Sequence, residues 1–139
     1  MTVPTLAEAL AGRTIGSAAT SFVIAEWKDP GAPPDSGDRS PRLIAPLHLH
    51  HNDDEAWYVL EGRLCVKRGD ETVEAGPGSA VLVPRGTPHT YWNPDPAPLR
   101  YLLIMPPAIH QLIQAIHATS DRSPEAMRAL FQRHDSELL

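Results

Sequence analysis

His48-Leu49-His50-His51-Asn52-Asp53-Asp54-Glu55 and the later Pro84-Arg85-Gly86-Thr87-Pro88-His89 are the segments on which the reading of this chain turns. In a strand, residues two apart share a face. His48 and His50 therefore point to one side, and Leu47 and Leu49 to the other. His51 has the opposite parity and is expected to be exposed. Glu55 lies past the polar connection 52–54, on a strand that can return beside the histidines. Asp53 and Asp54 are alternative carboxylates by position alone. His89 opens a later strand directly after Pro88. Three imidazoles and a carboxylate suit one divalent first-row ion, whether iron, manganese, nickel, copper, cobalt or zinc. Four protein ligands leave positions open on an ion that prefers five or six. Open positions distinguish a catalytic or ligand-binding centre from a closed structural one.

Outward from these segments the pattern is a run of short strands. Strands are expected near 42–49, 54–60, 63–68, 72–75, 79–83, 89–93 and 99–105. Gly62, Gly69-Asp70, Gly76-Pro77-Gly78 and Asn93-Pro94-Asp95-Pro96 punctuate them. Gly62 reads as a tight hairpin between two strands, and Asn93 as a side chain that ties down the turn after it. No helical crossover separates the strands, so a parallel sheet is disfavoured and a mostly β sandwich or barrel is favoured. Upstream, a short helix is expected over 4–10 and one or two strands around 21–27. The segment 29–41 carries four prolines and two glycines. It reads as a loop, either a solvated connector or a lid beside a pocket.

After Pro107, Ile109, Leu112, Ile113 and Ile116 follow the i, i+3, i+4, i+7 spacing of an amphipathic helix. Ser123-Pro124-Glu125 supplies a cap and a first-turn proline for a second helix with Met127, Leu130 and Phe131 on one side. Two C-terminal helices, over about 106–135, then pack outside the β-structure or close one end of it.

Composition narrows the function. A chain of 139 residues is the size of one domain, read here as 1–139 with a β-core over about 13–105. A net charge of -5 with no long basic run disfavours nucleic-acid binding. Fifteen prolines suit short strands and turns better than long helices. No stretch is apolar enough for a membrane span, and no secretory signal begins the sequence. The single cysteine, Cys65, sits in a strand and reads as packing, and the expected location is the cytoplasm. No phosphate-binding glycine loop, Gly-x-Ser-x-Gly elbow or Cys-x-x-Cys pair is present. His110, His117 and His134 read as surface residues.

The two segments extend into longer strings. The first is His48-x-His50, four residues, Glu55, six residues, Gly62; the second is Gly78, five residues, Pro84-x-Gly86, two residues, His89, three residues, Asn93. These strings resemble both signature motifs of the cupin superfamily, lacking only the glycine that often precedes the first histidine. The resemblance covers roughly 42–105, and the fifteen-residue spacer between Gly62 and Gly78 is similar to that of compact microbial cupins. It implies an antiparallel jelly-roll β-barrel and the metal ligands His48, His50, Glu55 and His89.

The stretch 46–62 and the ending Leu102-Leu103-Ile104-Met105-Pro106-Pro107 look like small cupins related to quercetin 2,3-dioxygenase. That likeness implies a metal-dependent dioxygenase acting on a small enolic or phenolic molecule, with Glu55 as ligand and general base. Trp57 and Tyr91, which share parity with Glu55 and His89, would form an aromatic wall for the substrate. The same site suits a non-oxidative isomerase, cyclase or lyase, or a module that binds a small molecule without turnover, since one fold hosts many chemistries. The family also implies a homodimer, with the apolar run Phe22-Val23-Ile24-Ala25 as a candidate contact.

Overall fold

The computed structural model describes residues 10–31 and 42–139. The helix expected over 4–10 and most of the loop 29–41 lie outside the described residues.

The strands are β1 (Thr14–Ile15), β2 (Val23–Asp29), β3 (Leu43–His50), β4 (Glu55–Glu61), β5 (Leu64–Arg68), β6 (Glu71–Ala75), β7 (Ala80–Val83), β8 (His89–Trp92), β9 (Leu99–Met105) and β10 (Ser136–Leu138). The helices α1 (Pro107–Ala118) and α2 (Pro124–Arg133) fall between β9 and β10. One sheet has the order β1-β2-β9-β4-β7 and the other β10-β3-β8-β5-β6, and every pairing is antiparallel. From β2 to β9, only β5 and β6 are both consecutive and paired. Every other connection in that span crosses between the sheets, which is the jelly-roll arrangement.

Two expectations are corrected by this topology. β4 does not return beside β3; it joins the opposite sheet, between β9 and β7. The turn at Gly62 is accordingly a corner between sheets and not a hairpin. Gly62 has a φ of +83°, and a Cβ there would collide with the Pro98 carbonyl, so the corner demands glycine twice over. The turn after β8 forms as expected: Asn93 Oδ1 accepts from the Asp95 N–H at 3.0 Å and its Nδ2 donates to the Ala97 carbonyl at 2.8 Å.

The inward faces of the two sheets meet in one core that includes Val23, Val59, Leu64, Val66, Leu103 and Met105. Burying each such side chain contributes roughly 1.5–3 kcal/mol before entropy is counted. Cys65 is buried within β5. Outward positions of β6 and β7 are polar or exposed, as alternation requires.

α1 and α2 cover one end of the barrel. Ile109 and Leu112 of α1 and Leu130 and Phe131 of α2 are buried. Ser123 Oγ accepts from the Ala126 N–H and caps α2, with Pro124 at the first helical position. Beyond α2 the chain reverses at Asp135, whose φ is +54°, and β10 adds to the edge of β3. Asp is among the few residues that accept that backbone conformation.

Candidate metal centre

The end of the barrel beneath the helices brings His48, His50, Glu55 and His89 together. Their ligand atoms all lie within 4.8 Å of one another, and all four side chains are buried. The histidines come from one sheet: His48 and His50 from β3, and His89 from β8, where it is the cross-strand partner of His48. Glu55 comes from the other, at the start of β4. The four-residue connection 51–54 is therefore what carries the chain across the barrel to place a carboxylate opposite three imidazoles.

Local features aim each ring. Between Ala45 and His48 the pairing with β8 slips, and Pro46, which has no N–H for the ladder, occupies the irregularity. Its freed carbonyl lies 2.6 Å from His48 Nδ1. The turn before β8 is held by the Gly86 N–H donating to the His50 carbonyl at 2.7 Å, with Gly86 at a φ of +76°. That turn also presents the Thr87 carbonyl 2.9 Å from His89 Nδ1. His50 Nδ1 is 2.7 Å from Ser136 Oγ of β10, and that hydroxyl donates to the His134 carbonyl at 3.0 Å. Ring packing completes the support. Trp57 stands edge-on to His89 at 5.9 Å and Phe131 of α2 edge-on to His48 at 5.5 Å.

These contacts settle the tautomers. Carbonyl oxygens only accept, so Nδ1 of His48 and His89 must carry the proton. The Ser136 hydroxyl spends its proton on His134, so Nδ1 of His50 donates to it as well. In the neutral rings each Nε2 is then an unprotonated lone pair directed inward. Glu55 Oε1 lies 2.6 Å from His89 Nε2 and 3.2 Å from His50 Nε2. A carboxylate facing lone pairs at such distances needs a proton or a cation among them. This donor set, three imidazole nitrogens and one carboxylate oxygen converging in a buried cluster, is of the kind that holds a divalent first-row ion.

Electrostatics agree with a site built for a cation. Burial, together with His89 and His50 nearby, lowers His48 to about 4, so it stays neutral and ready to ligate. Burial alone would raise the Glu55 carboxyl; where a proton sits on Nε2 of His50 or His89, hydrogen bonding and charge from that ring outweigh burial and lower the carboxyl, and a bound cation would take the place of that proton. Burial and the nearby Glu55 push the Tyr91 hydroxyl up, and burial and Tyr91 push up that of Tyr101, so both remain protonated donors.

The cluster opens into a cavity of about 500 Å³ roofed by α1 and α2. His48, His50, Glu55 and Tyr91 line it. Trp57 is fully buried behind Tyr91 and His89 and is not part of the lining; its ring centre is 5.1 Å from that of Tyr91. His51 is exposed and 3.7 Å from Glu137, on the outer side of β3. Asp54 is turned outward to Arg85, accepting its backbone N–H at 2.8 Å, which leaves Glu55 as the carboxylate in the cluster. His117 is exposed to solvent yet also forms cavity wall, edge-on to Trp27 at 5.5 Å. Ser136, Phe131 and Trp27 were not recognisable as site residues from spacing. Ser136 meets His50 across 86 positions, and a three-residue strand leaves no periodicity to read.

Comparison with known proteins supports the same frame. Residues 40–105 match the family described as the cupin domain. An uncharacterised protein of Methanocaldococcus jannaschii is 35% identical over 66 residues, which are 47% of this chain and 53% of that one. The chain thus spans about half the length of that relative. Among solved structures, a Schizosaccharomyces pombe cupin domain aligns with a TM-score of 0.55 at 14% identity, over 73% of this chain and 63% of the other. A putative sugar phosphate isomerase from Acidithiobacillus ferrooxidans aligns at 0.51 and 23% identity, over 63% and 51%. At these identities the structures speak for the fold alone.

Proposed function

We propose that the protein, whose residues 40–105 match the cupin domain, is a metal-dependent enzyme for a small, largely apolar molecule, a dioxygenase of enolic or phenolic substrates. The observation that carries the metal is the tautomer argument: three imidazoles with Nδ1 engaged outward and Nε2 directed at an ionised carboxylate. The ligands are His48, His50, Glu55 and His89. A bound divalent ion would supply Lewis acidity and an open position for a substrate oxygen.

The chain's own residues do the rest. The apolar roof of α1 and α2 excludes water, which strengthens every charge interaction beneath it. Tyr91, as a protonated donor in the wall, orients an acceptor oxygen of the substrate. Glu55 Oε1 is the carboxylate oxygen placed to accept the proton of an enol or phenol as general base. Trp57 acts behind the wall, fixing His89 and Tyr91 by ring contact. A cytoplasmic homodimer completes the reading. The lone cysteine is buried, and the outer face of the first sheet is apolar along the row Ile24, Ile104, Ala56, Leu82.

Elemental analysis of protein purified without added metal tests the centre. One ion per chain is expected, and His48→Ala and His89→Ala should each abolish it; retention by both variants refutes the ligand set. Oxygen uptake after anaerobic loading with iron, manganese, nickel or copper, against enolic and phenolic compounds, tests the reaction. Turnover that persists with zinc and without oxygen would instead identify an isomerase, cyclase or lyase. Binding without product would identify a sensor.

A further inference from the structure

α2 and β10 belong to a packing unit of their own. Leu112, Leu130 and Phe131 make a small apolar cluster, with Ala115, Ile116, Met127 and Leu138 against it, separate from the core between the sheets. The two elements form a cap over the cavity, to which they contribute Pro124, Met127, Phe131 and Leu138. β10 is three residues long and lies at a sheet edge. Its ends are pinned by the His51 N–H donating to the Asp135 carbonyl at 2.9 Å and the Leu139 N–H donating to the Leu47 carbonyl at 3.0 Å. Segments held by a satellite cluster and a short edge pairing open ahead of the whole fold.

A hydrogen bond of reversible direction joins this cap to a metal ligand. Nδ1 of His48 and of His89 face the Pro46 and Thr87 carbonyls, which only accept. His50 Nδ1 instead faces the Ser136 hydroxyl at 2.7 Å, and a hydroxyl either donates or accepts. With a cation on Nε2, His50 carries its proton on Nδ1 and donates to Ser136 Oγ. The hydroxyl proton then goes to the His134 carbonyl at 3.0 Å, across the turn that joins α2 to β10. With no cation, Glu55 Oε1 needs a proton, and His50 Nε2 is 3.2 Å away. The neutral ring meets that need by carrying its one proton on Nε2. Nδ1 then accepts the Ser136 O–H, which turns away from His134. The ring proton changes nitrogen, the hydroxyl proton changes acceptor, and the net charge is unaltered.

Resting on the metal-dependent reading above, we infer that the cap senses occupancy of the metal centre: metal on His50 closes the Ser136–His134 bond and seats α2 and β10, and its removal loosens them. The roof of the cavity is thus completed by metal loading, and a small molecule meets the formed cavity in the loaded protein. Such linkage is reciprocal. If the docked hydroxyl raises metal affinity about tenfold, the metal favours docking by about the same factor.

Hydrogen exchange on the full chain, with zinc and with chelator, tests this. Saturating zinc should slow the His51 and Leu139 amides, at the two ends of the β10–β3 pairing, by about tenfold. In Ser136→Ala, again saturated with zinc, most of that slowing should be gone, and Ser136→Thr should restore it. Nitrogen NMR of protein labelled in its histidine rings reads the relay in the native sequence. His50 should carry its proton on Nε2 without zinc and on Nδ1 with it, while His48 and His89 keep theirs on Nδ1 throughout. The inference is overturned if zinc binds without slowing those amides, or if the slowing survives Ser136→Ala in full. It is equally overturned if His50 keeps one tautomer while His89 becomes doubly protonated without zinc. In each of these cases zinc still binds, so the metal centre stands. Failure of zinc to bind at one ion per chain would overturn that centre, and the sensing cap with it.

Discussion

Ser136 fixes the tautomer of His50 from a strand far along the chain, and removing its hydroxyl should separate ring orientation from fold. Ser136→Ala is expected to lower metal affinity about 10–100-fold, the usual cost of losing an outer partner of a ligating histidine. Competition with a chromogenic chelator measures it, and Ser136→Thr should recover part of the loss. Unchanged affinity in Ser136→Ala would show that the hydroxyl is incidental.

His48 supplies a pH prediction. Its folded pKa, near 4, lies below the 6.5 of an unfolded histidine, so the unfolded chain binds the extra proton. Stability from this group is complete above pH 6.5 and is lost as pH falls toward 4. For metal-free protein, denaturant midpoints between pH 7 and pH 4.5 should decline, and His48→Gln should flatten the decline by on the order of 3 kcal/mol across the full window. A slope equal to the wild type would refute the assignment. The parity of His48, His50 and His51 was legible in the sequence because alternation is a property of neighbours. Pairings such as Ser136 with His50 are properties of the fold and leave no local trace.

At the level of elements, turn chemistry marked the strands. Gly69, Asn93 and the prolines around them punctuate the chain where the structure turns, and β9 runs over 99–105 as expected. Partner choice was not legible. The connection 51–54 resembles a hairpin loop, yet it passes between sheets, because only the opposite sheet lets Glu55 face the histidines. The same holds at Gly62, where Gly62→Ala should destabilise by more than the ~1 kcal/mol of a left-handed backbone alone, since the Pro98 carbonyl must also move. Thermal unfolding reads this directly. Phe131→Ala should cost about 3–5 kcal/mol, typical of a buried phenylalanine, and should also weaken metal binding by loosening His48. A destabilised variant with unchanged metal affinity would limit α2 to a structural role.

At the scale of the molecule, the inside and outside of the first sheet differ less than alternation predicts. Tyr58 and Leu82 are 38% and 54% exposed on an outward face that also carries Ile24 and Ile104. Val23 and Ala25, their neighbours in the run at 22–25, are fully inside. Only alternate residues of that run are therefore available to a second copy. If this face pairs two chains, Leu82→Glu with Ile104→Lys should convert a dimer into a soluble monomer on light-scattering chromatography without loss of bound metal. A native protein that is already monomeric would remove the homodimer from the reading.

The clasp between β10 and β3 also has a consequence in time. Translation proceeds from the N-terminus at about 5–20 residues per second, so Ser136 emerges roughly 4–17 s after His50. For the last part of that interval, once His89 and β9 have been made, the chain holds its three histidines without the hydroxyl that sets His50. The hydroxyl that sets His50 is thus the last part of the candidate site to be made, and a released chain ending after Arg133 should keep its two sheets while binding any metal more weakly.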